Sequence, residues 1–368
     1  MSRLPRIVSS YSEWQPLEEV IVGTMWKHRV PIDELSARIF YWENYLRHEG
    51  VLPADLIPTD RVFAECAEDL DDFAEALVGE GVTVRRPDIP SGGERDFWSP
   101  YEWGGRFLPA YNVRDQILIY GDTVIETPPL VRTRAFENDL LKSILYKYFA
   151  AGAKWIVAPR PTMTDASFDT AHISPDATWL LPDRCDPLVS PRFEMMFDAA
   201  QCLRFGTHII ANVSNDNHKL GIDWLQRILP AVTILRVSLC DSHLDATIVP
   251  LRPGLLMVDS RLVPTIDMLP APLRGWDIIW ICGDDLPQAN SDTTLKLASN
   301  ALSMNILSLD EKRVMVDGAA TAIMRKLQTC GIDPIPVRFR HGRVFGGGLH
   351  CVTLDVRRRG DPEAVLEH

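Results

Sequence analysis

QILIYGDTVIET, residues Gln116–Thr127, reads as two short β-branched and aliphatic arms joined by Gly121-Asp122, residues that supply the dihedrals a tight reversal requires. The same grammar recurs in different words. It returns in QCLRFGTHIIAN from Gln201, in ATIVPLRPGLLMVDS from Ala246 and in NILSLDEKRVMVDG from Asn305. Amphipathic helices separate these hairpins. One spans Arg61 to Val78 and gathers Val62, Phe63, Cys66, Leu70, Phe73 and Leu77 on one face. Another spans Phe136 to Phe149 with Leu140, Leu141, Ile144, Leu145 and Phe149, and shorter ones are expected at about Asp223–Leu229 and Ala319–Cys330. Gly79, Gly81 and Gly152 end the first two, and the apolar stretches VTV and WIVA follow. The repeating unit is hairpin, helix, strand.

That unit gives an α/β fold without a dinucleotide-binding half, because neither GxGxxG nor GxxxxGK[ST] occurs. The run Gly346-Gly347-Gly348 leads through His350 and Cys351 into a VTLDV strand rather than a helix, so it is no phosphate loop. Two stretches, Trp26 to Asp60 and Asp88 to Pro109, fall outside the rhythm and read as insertions or lid loops.

Composition fits one large assembly or two domains: 368 residues, 46% hydrophobic and 24% charged. Fifty acidic against 38 basic residues give a formal charge of -12, which argues against nucleic acid and suits a cationic ligand. Seven scattered cysteines, with no CxxC, read as thiols of a reducing compartment rather than as metal ligands or disulfides. No run of eighteen apolar residues and no signal-type h-region occur, so a cytoplasmic protein without a membrane partner is expected. The terminal Leu366-Glu367-His368 is read as a tag remnant, leaving residues 1–365 as the domain.

Polar residues recur where the hairpins begin. Asp115 precedes the first, Asp198 in FDAA the second, and His243 and Asp245 in SHLDAT the third; Cys351 stands before the last strand. If the units surround a pseudo-symmetry axis, these positions converge on one cavity. A thiol, an imidazole and carboxylates are then the parts of a nucleophilic site. Taken singly, each has a plainer reading: a buried cysteine packs as a small hydrophobe, and an aspartate before a strand forms turns.

FDAA (Phe197–Ala200), SHLDATIVPLRPG (Ser242–Gly254), LSMNILSLDEKRVMVD (Leu302–Asp317) and GGGLHCVTLDVRRRG (Gly346–Gly360) resemble the amidinotransferase family of glycine and inosamine-phosphate amidinotransferases. EWQPLEEVIVGT from Glu13, GVTVRRP from Gly81, RDQILIYGDTVIETP from Arg114 and GAKWIVAPRPTMTD from Gly152 extend the resemblance over nearly the whole chain. It implies a pentein, a five-bladed pseudo-symmetric α/β propeller of roughly ββαβ modules around a central site. It also implies Cys351 as nucleophile, His243 as general acid and base, and Asp198 as the partner that orients it. Asp115 and Asp245 would grip the guanidinium of the donor, L-arginine, while Arg261 and Ser299 would hold its carboxylate end. Ornithine would leave, and an amidino group on Cys351 would pass to an amine by ping-pong kinetics without metal or organic cofactor. The family further implies a homodimer. His350 is expected to alternate away from Cys351 along the strand.

Where the glycine enzymes carry an asparagine and a methionine ahead of the histidine, this chain has Cys240 and Ser242. Both are smaller, which predicts a wider mouth and an acceptor bulkier than glycine: an aminocyclitol, an amino acid such as lysine, or a polyketide-type amine. TIVPLRPGLL and CLRFGT resemble the streptomycin-pathway branch, and with it secondary-metabolite biosynthesis. Ala298 beside Ser299 replaces a serine pair, so one donor contact is missing. The alternatives are an arginine-deiminase-like hydrolase, in which water replaces the amine, and a catalytically silent guanidine-binding protein.

Overall fold

The two antiparallel strands of each module are buried on both faces, which is why they read as nearly unbroken apolar runs, whereas the third strands, such as Lys154–Val157 and Thr233–Val237, stay partly exposed. The computed structural model describes residues 6–26, 34–41, 58–89, 92, 96–168, 194–287 and 296–367. Within them five three-stranded sheets share one connectivity, an antiparallel pair followed by a parallel third strand. In the first module β1 (Leu17–Val22) is followed by α1 (Leu35–Phe40), α2 (Asp60–Gly79) and the parallel strand β2 (Thr83–Arg85), while the antiparallel partner of β1 comes from the other end of the chain. A small added hairpin, β3 (Asp96–Trp98) with β4 (Gly104–Arg106), lies in the second stretch read as an insertion.

The second module is β5 (Ile117–Tyr120), β6 (Thr123–Glu126), α3 (Lys142–Ala150) and β7 (Lys154–Val157). The third is β8 (Cys202–Phe205), β9 (His208–Asn212), α4 (Asp216–Ile228) and β10 (Thr233–Val237). The fourth is β11 (Ile248–Arg252), β12 (Leu255–Asp259) and β13 (Asp277–Ile281). The fifth is β14 (Leu307–Ser308), β15 (Arg313–Asp317), α5 (Thr321–Thr329) and β16 (Asp333–Val337). A one-turn helix, α6 (Gly342–Phe345), then leads to β17 (Thr353–Arg358), which completes the first sheet against β1.

The four hairpins read from the sequence are all present, and two of the helix readings need adjustment. The segment before α3 is a 3-10 turn, Glu137–Leu141, because Glu137 and Asn138 turn inward to polar partners, and Phe149 is 57% exposed rather than on the packed face. Helix α4 starts earlier than its apolar pattern, because Asn215 caps it by accepting from the His218 N–H at 2.9 Å. The fourth module has 3-10 turns, Ile266–Met268 and Ala271–Leu273, where prolines at 264, 270 and 272 exclude an α-helix.

Hydrophobic clusters join successive modules. Leu118 and Ile125 of the second pack with Ile209 and Ile222 of the third, while Ile117, Ile119 and Val124, on the opposite face, pack with Ile21 and Val356 of the first. Further clusters link the third to the fourth, the fourth to the fifth, and the fifth to the first through Leu307, Met315, Val20 and Phe73. Leu366, in the stretch set aside above, lies buried with Trp14 and Phe205. Six cysteines are free thiols, and Cys185 lies outside the described residues. Among the described residues no helix is long and apolar enough to cross a membrane.

Gly206 turns the second hairpin at φ 68°, and a Cβ there would sit 1.8 Å from the carbonyl oxygen of Glu363. Gly206→Ala is therefore expected to cost more than about 2 kcal/mol in urea unfolding, combining left-handed strain with a backbone clash. An unfolding midpoint unchanged by the substitution would contradict this packing of the chain's last residues.

Candidate active site

The start of each hairpin contributes a polar residue to one buried group. Asp115 precedes β5, Asp198 precedes β8, His243 and Asp245 precede β11, and Cys351 precedes β17. The fifth position of this series, Asn305 before β14, escaped the sequence reading, although the same rhythm points to it. Its Oδ1 accepts from the Cys351 N–H at 2.9 Å and its Nδ2 donates to the Asp245 carbonyl at 3.3 Å.

His243 Nε2 donates to Asp198 Oδ2 at 2.8 Å, and its Nδ1 lies 3.9 Å from Asp115 Oδ1. Asp198 is fixed in turn, its Oδ1 accepting from the Leu130 N–H at 3.1 Å. Burial disfavours the imidazolium, but the Asp115 charge and then the Asp198 hydrogen bond outweigh it and raise its pKa to about 9. The ring of Phe40 packs edge-on against His243 at 5.3 Å between centroids.

Cys351 is buried, and its Sγ donates to Asp245 Oδ2 at 3.4 Å. Burial, then the charges of Asp245 and Asp115, push the thiol well above its ordinary range. Asp245 is held the other way: burial raises its carboxyl, yet hydrogen bonding and charge from His350 bring it to about 2. His350 therefore does not face elsewhere. Cys351 and His350 precede the strand proper, in a turn where strand alternation does not apply, and His350 Nδ1 donates to Asp245 Oδ2 at 2.8 Å.

Asp115 Oδ2 accepts from Arg134 Nη1 at 2.7 Å, and Arg134 is also paired with Glu137 through two hydrogen bonds at 2.9 Å. No sequence motif marked this arginine. Asp115 Oδ1 and Asp245 Oδ1 are buried without any hydrogen-bond donor. Such acceptors are costly unless a ligand completes them. Two unpartnered carboxylate oxygens from residues that act on one sulfur suit a planar cation with several N–H donors.

Asp115, Asp198 and His243 also place one ligand atom each within 4.8 Å of one another, a donor set a divalent ion could use. Most of these atoms are already engaged, because His243 Nε2 donates to Asp198 Oδ2 and Asp115 Oδ2 accepts from Arg134, which leaves Asp115 Oδ1.

The outer residues are less directly placed. Arg261 is clamped by Asp259 at 2.7 and 3.0 Å and donates to Asn300 Oδ1 at 3.2 Å, while Ser299 caps the following 3-10 turn. Neither touches the central five side chains. Cys240 Sγ donates to the His243 carbonyl at 3.1 Å, and the Ser242 carbonyl accepts from Asn212, so both shape the loop that carries the imidazole. Ser242, Phe40, Ser36 and His218 line a cavity of about 70 Å³ on this side. A larger cavity, about 650 Å³, runs along residues 336–344 and meets the site only through Asn305, Gly348 and Leu349.

Over 97% of this chain and 98% of the relative, the sequence is 37% identical to inosamine-phosphate amidinotransferase 1 of Streptomyces glaucescens. It is 34% identical to the L-arginine:L-lysine amidinotransferase of Pseudomonas savastanoi pv. phaseolicola, over 98% and 96% of the two chains. The solved inosamine-phosphate amidinotransferase of Streptomyces griseus superposes with a TM-score of 0.82 at 35% identity, covering 98% of this chain and all of that one. A dimethylarginine dimethylaminohydrolase structure covers 92% of this chain and 99% of its own at a TM-score of 0.55 and 16% identity, a likeness of the pentein fold alone. No family model matches the chain.

Because burial and then the two carboxylates hold the thiol protonated, Cys351 of the free protein is expected to react with iodoacetamide near neutral pH more slowly than the exposed Cys282. Asp245→Asn removes the larger of the two charges and is expected to speed alkylation of Cys351, tenfold for each unit by which the thiol pKa falls while it stays above the assay pH, roughly. Peptide-resolved mass spectrometry reads both rates; an unchanged or slower Cys351 would contradict this electrostatic account.

Proposed function

The chain belongs to the amidinotransferase family, and from that premise we propose that it moves the amidino group of L-arginine, through an amidino-cysteine at Cys351, to a primary amine bulkier than glycine. The observation that carries the donor reading is the pair of buried, unpartnered oxygens, Asp115 Oδ1 and Asp245 Oδ1, beside the Cys351 sulfur. A guanidinium is planar, cationic and resonance-stabilised, so attack at its carbon needs a strong nucleophile and a grip that matches its N–H donors.

In the proposed sequence the arriving cation offsets the two carboxylate charges, and Cys351 releases its proton to solvent and becomes a thiolate, His243 being already protonated. The sulfur bonds to the guanidino carbon, the bond from that carbon to the side-chain nitrogen of arginine breaks, and His243 supplies the proton with which ornithine leaves. The acceptor amine then attacks the same carbon, His243 takes its proton back, and the carbon–sulfur bond breaks to free the new guanidinium and the thiolate. Asp198 keeps the imidazole in orientation throughout. The transferred unit waits on sulfur, so the sequence uses neither a metal nor an organic cofactor.

Five modules, joined in order by shared hydrophobic clusters, support reading the fold as a five-bladed propeller with the site at its axis. Arg261 and Ser299, neighbours through Asn300, are assigned to the carboxylate end of arginine. The small side chains of Cys240 and Ser242 and the cavity beside Phe40 support an acceptor larger than glycine, and relatives named for inosamine phosphate and L-lysine fit that range. A cytoplasmic homodimer serving secondary-metabolite biosynthesis completes the reading.

Incubation of the protein with L-arginine and a panel of aminocyclitols, lysine and glycine is expected to yield ornithine and a guanidinylated amine, with glycine the poorest acceptor. Double-reciprocal plots should be parallel, EDTA should leave the rate unchanged, and Cys351→Ser should abolish transfer. Urea with ornithine, or citrulline with ammonia, as the sole products would replace transfer by hydrolysis.

A further inference from the structure

The reaction above leaves one buried group beside the sulfur unused. His350 has a carboxylate on each ring nitrogen: Nδ1 donates to Asp245 Oδ2 at 2.8 Å and Nε2 to Glu13 Oε2 at 3.2 Å. Its backbone is held as well, since Arg114 Nε donates to the His350 carbonyl at 2.8 Å and the Arg114 N–H to the Cys351 carbonyl at 3.3 Å. Glu13 is itself fixed by Arg204, which also pairs with Asp355. The ring is thus tied to the buried frame on one side and to a substrate-facing carboxylate on the other.

Asp245 Oδ2 receives both His350 Nδ1 and the Cys351 thiol, whereas its Oδ1 receives nothing. We propose that His350 is a positioning residue for the donor: by holding Oδ2 of Asp245 it presents Oδ1 to the guanidinium. The inference rests on the reading that a guanidinium is the donor group gripped by Asp245. Asp245 is faced by His350, Cys351 and His243, with Asn305 on its carbonyl. His350 is faced by Asp245, Glu13 and Arg114, with Arg204 and Asp355 one contact further. Of these, His350 contributes most to keeping Asp245 ionised against its burial. A carboxyl lowered in this way binds a cation above its pKa and loses it as pH falls. Without the His350 N–H, burial dominates, and binding should fail at a higher pH.

The test is calorimetric binding of L-arginine to the full chain carrying Cys351→Ser, across about pH 5 to 8. Adding His350→Leu is expected to weaken binding roughly 10- to 100-fold at neutral pH and to move its acid loss to higher pH. Adding His350→Asn, whose amide can replace Nδ1–H, should restore most of the affinity. In an Asp245→Asn background His350→Leu should cost no further affinity. Unchanged affinity and pH dependence in His350→Leu, or equal losses with and without Asp245, would overturn the positioning role alone. No arginine binding by the Cys351→Ser chain would overturn the donor reading and this inference with it.

Discussion

Arg204 lies buried between Glu13 and Asp355, and the site takes its shape from the need to match these charges away from water. Arg114 and Arg358 complete the group by pairing with Asp355. Burial alone would raise both carboxyls, yet the arginines hold them well below the ordinary carboxylate range. Removing one partner from such a cluster costs about 3–5 kcal/mol, because it strands the other charge. The members come from the segment before β1, the loop before β5, strand β8 and strand β17, so one electrostatic constraint fixes three modules against one another. Arg114 adjoins Asp115 and reaches the backbone of His350 and Cys351, which carries the constraint directly to the residue that bears the sulfur.

In the arginine–carboxylate cluster every charge has an opposite partner, while around the sulfur the matching is incomplete. Asp115 and Asp245 each keep one buried oxygen without a donor, and these same carboxylates act on both His243 and Cys351. Against burial, Asp115 and then Asp198, with a smaller part from Asp245, raise His243 to about 9, so it carries a proton at neutral pH and loses it as pH rises through that value. With burial, Asp245 and Asp115 also keep the Cys351 proton in place. A cationic substrate reverses the second effect by neutralising the carboxylates, and in the proposed mechanism substrate binding is what makes the nucleophile. In that proposed mechanism catalytic readiness is coupled to the presence of the guanidinium, and no thiolate is left exposed to other electrophiles.

The repeating hairpins were legible because each needs two short apolar arms and a turn whose residues, such as Gly121-Asp122 and Gly206-Thr207, have few other uses. Even the series of polar residues before each hairpin could be read, although Asn305 was passed over for want of a titratable side chain. Less legible were features set by tertiary partners. The inward turn of Glu137 and Asn138 replaces the first turn of a helix because Arg134 and Glu126 claim their side chains. His350 defied strand alternation because the turn holding it precedes the strand. Arg134 lies in a stretch without periodicity or motif, and its importance comes only from the carboxylate it meets in space. Arg261 shows the reverse case, a residue that the family resemblance singles out and whose guanidinium is engaged by Asp259.

The most direct measurement weighs the intact protein and its Cys351 peptide after incubation with L-arginine labelled at the guanidino carbon, with no acceptor present. Label retained as one amidino group on Cys351, with an equivalent of ornithine released and the label discharged by an added amine, is the result this account requires. Ornithine released with label never found on sulfur, or label carried by any residue other than Cys351, would contradict it.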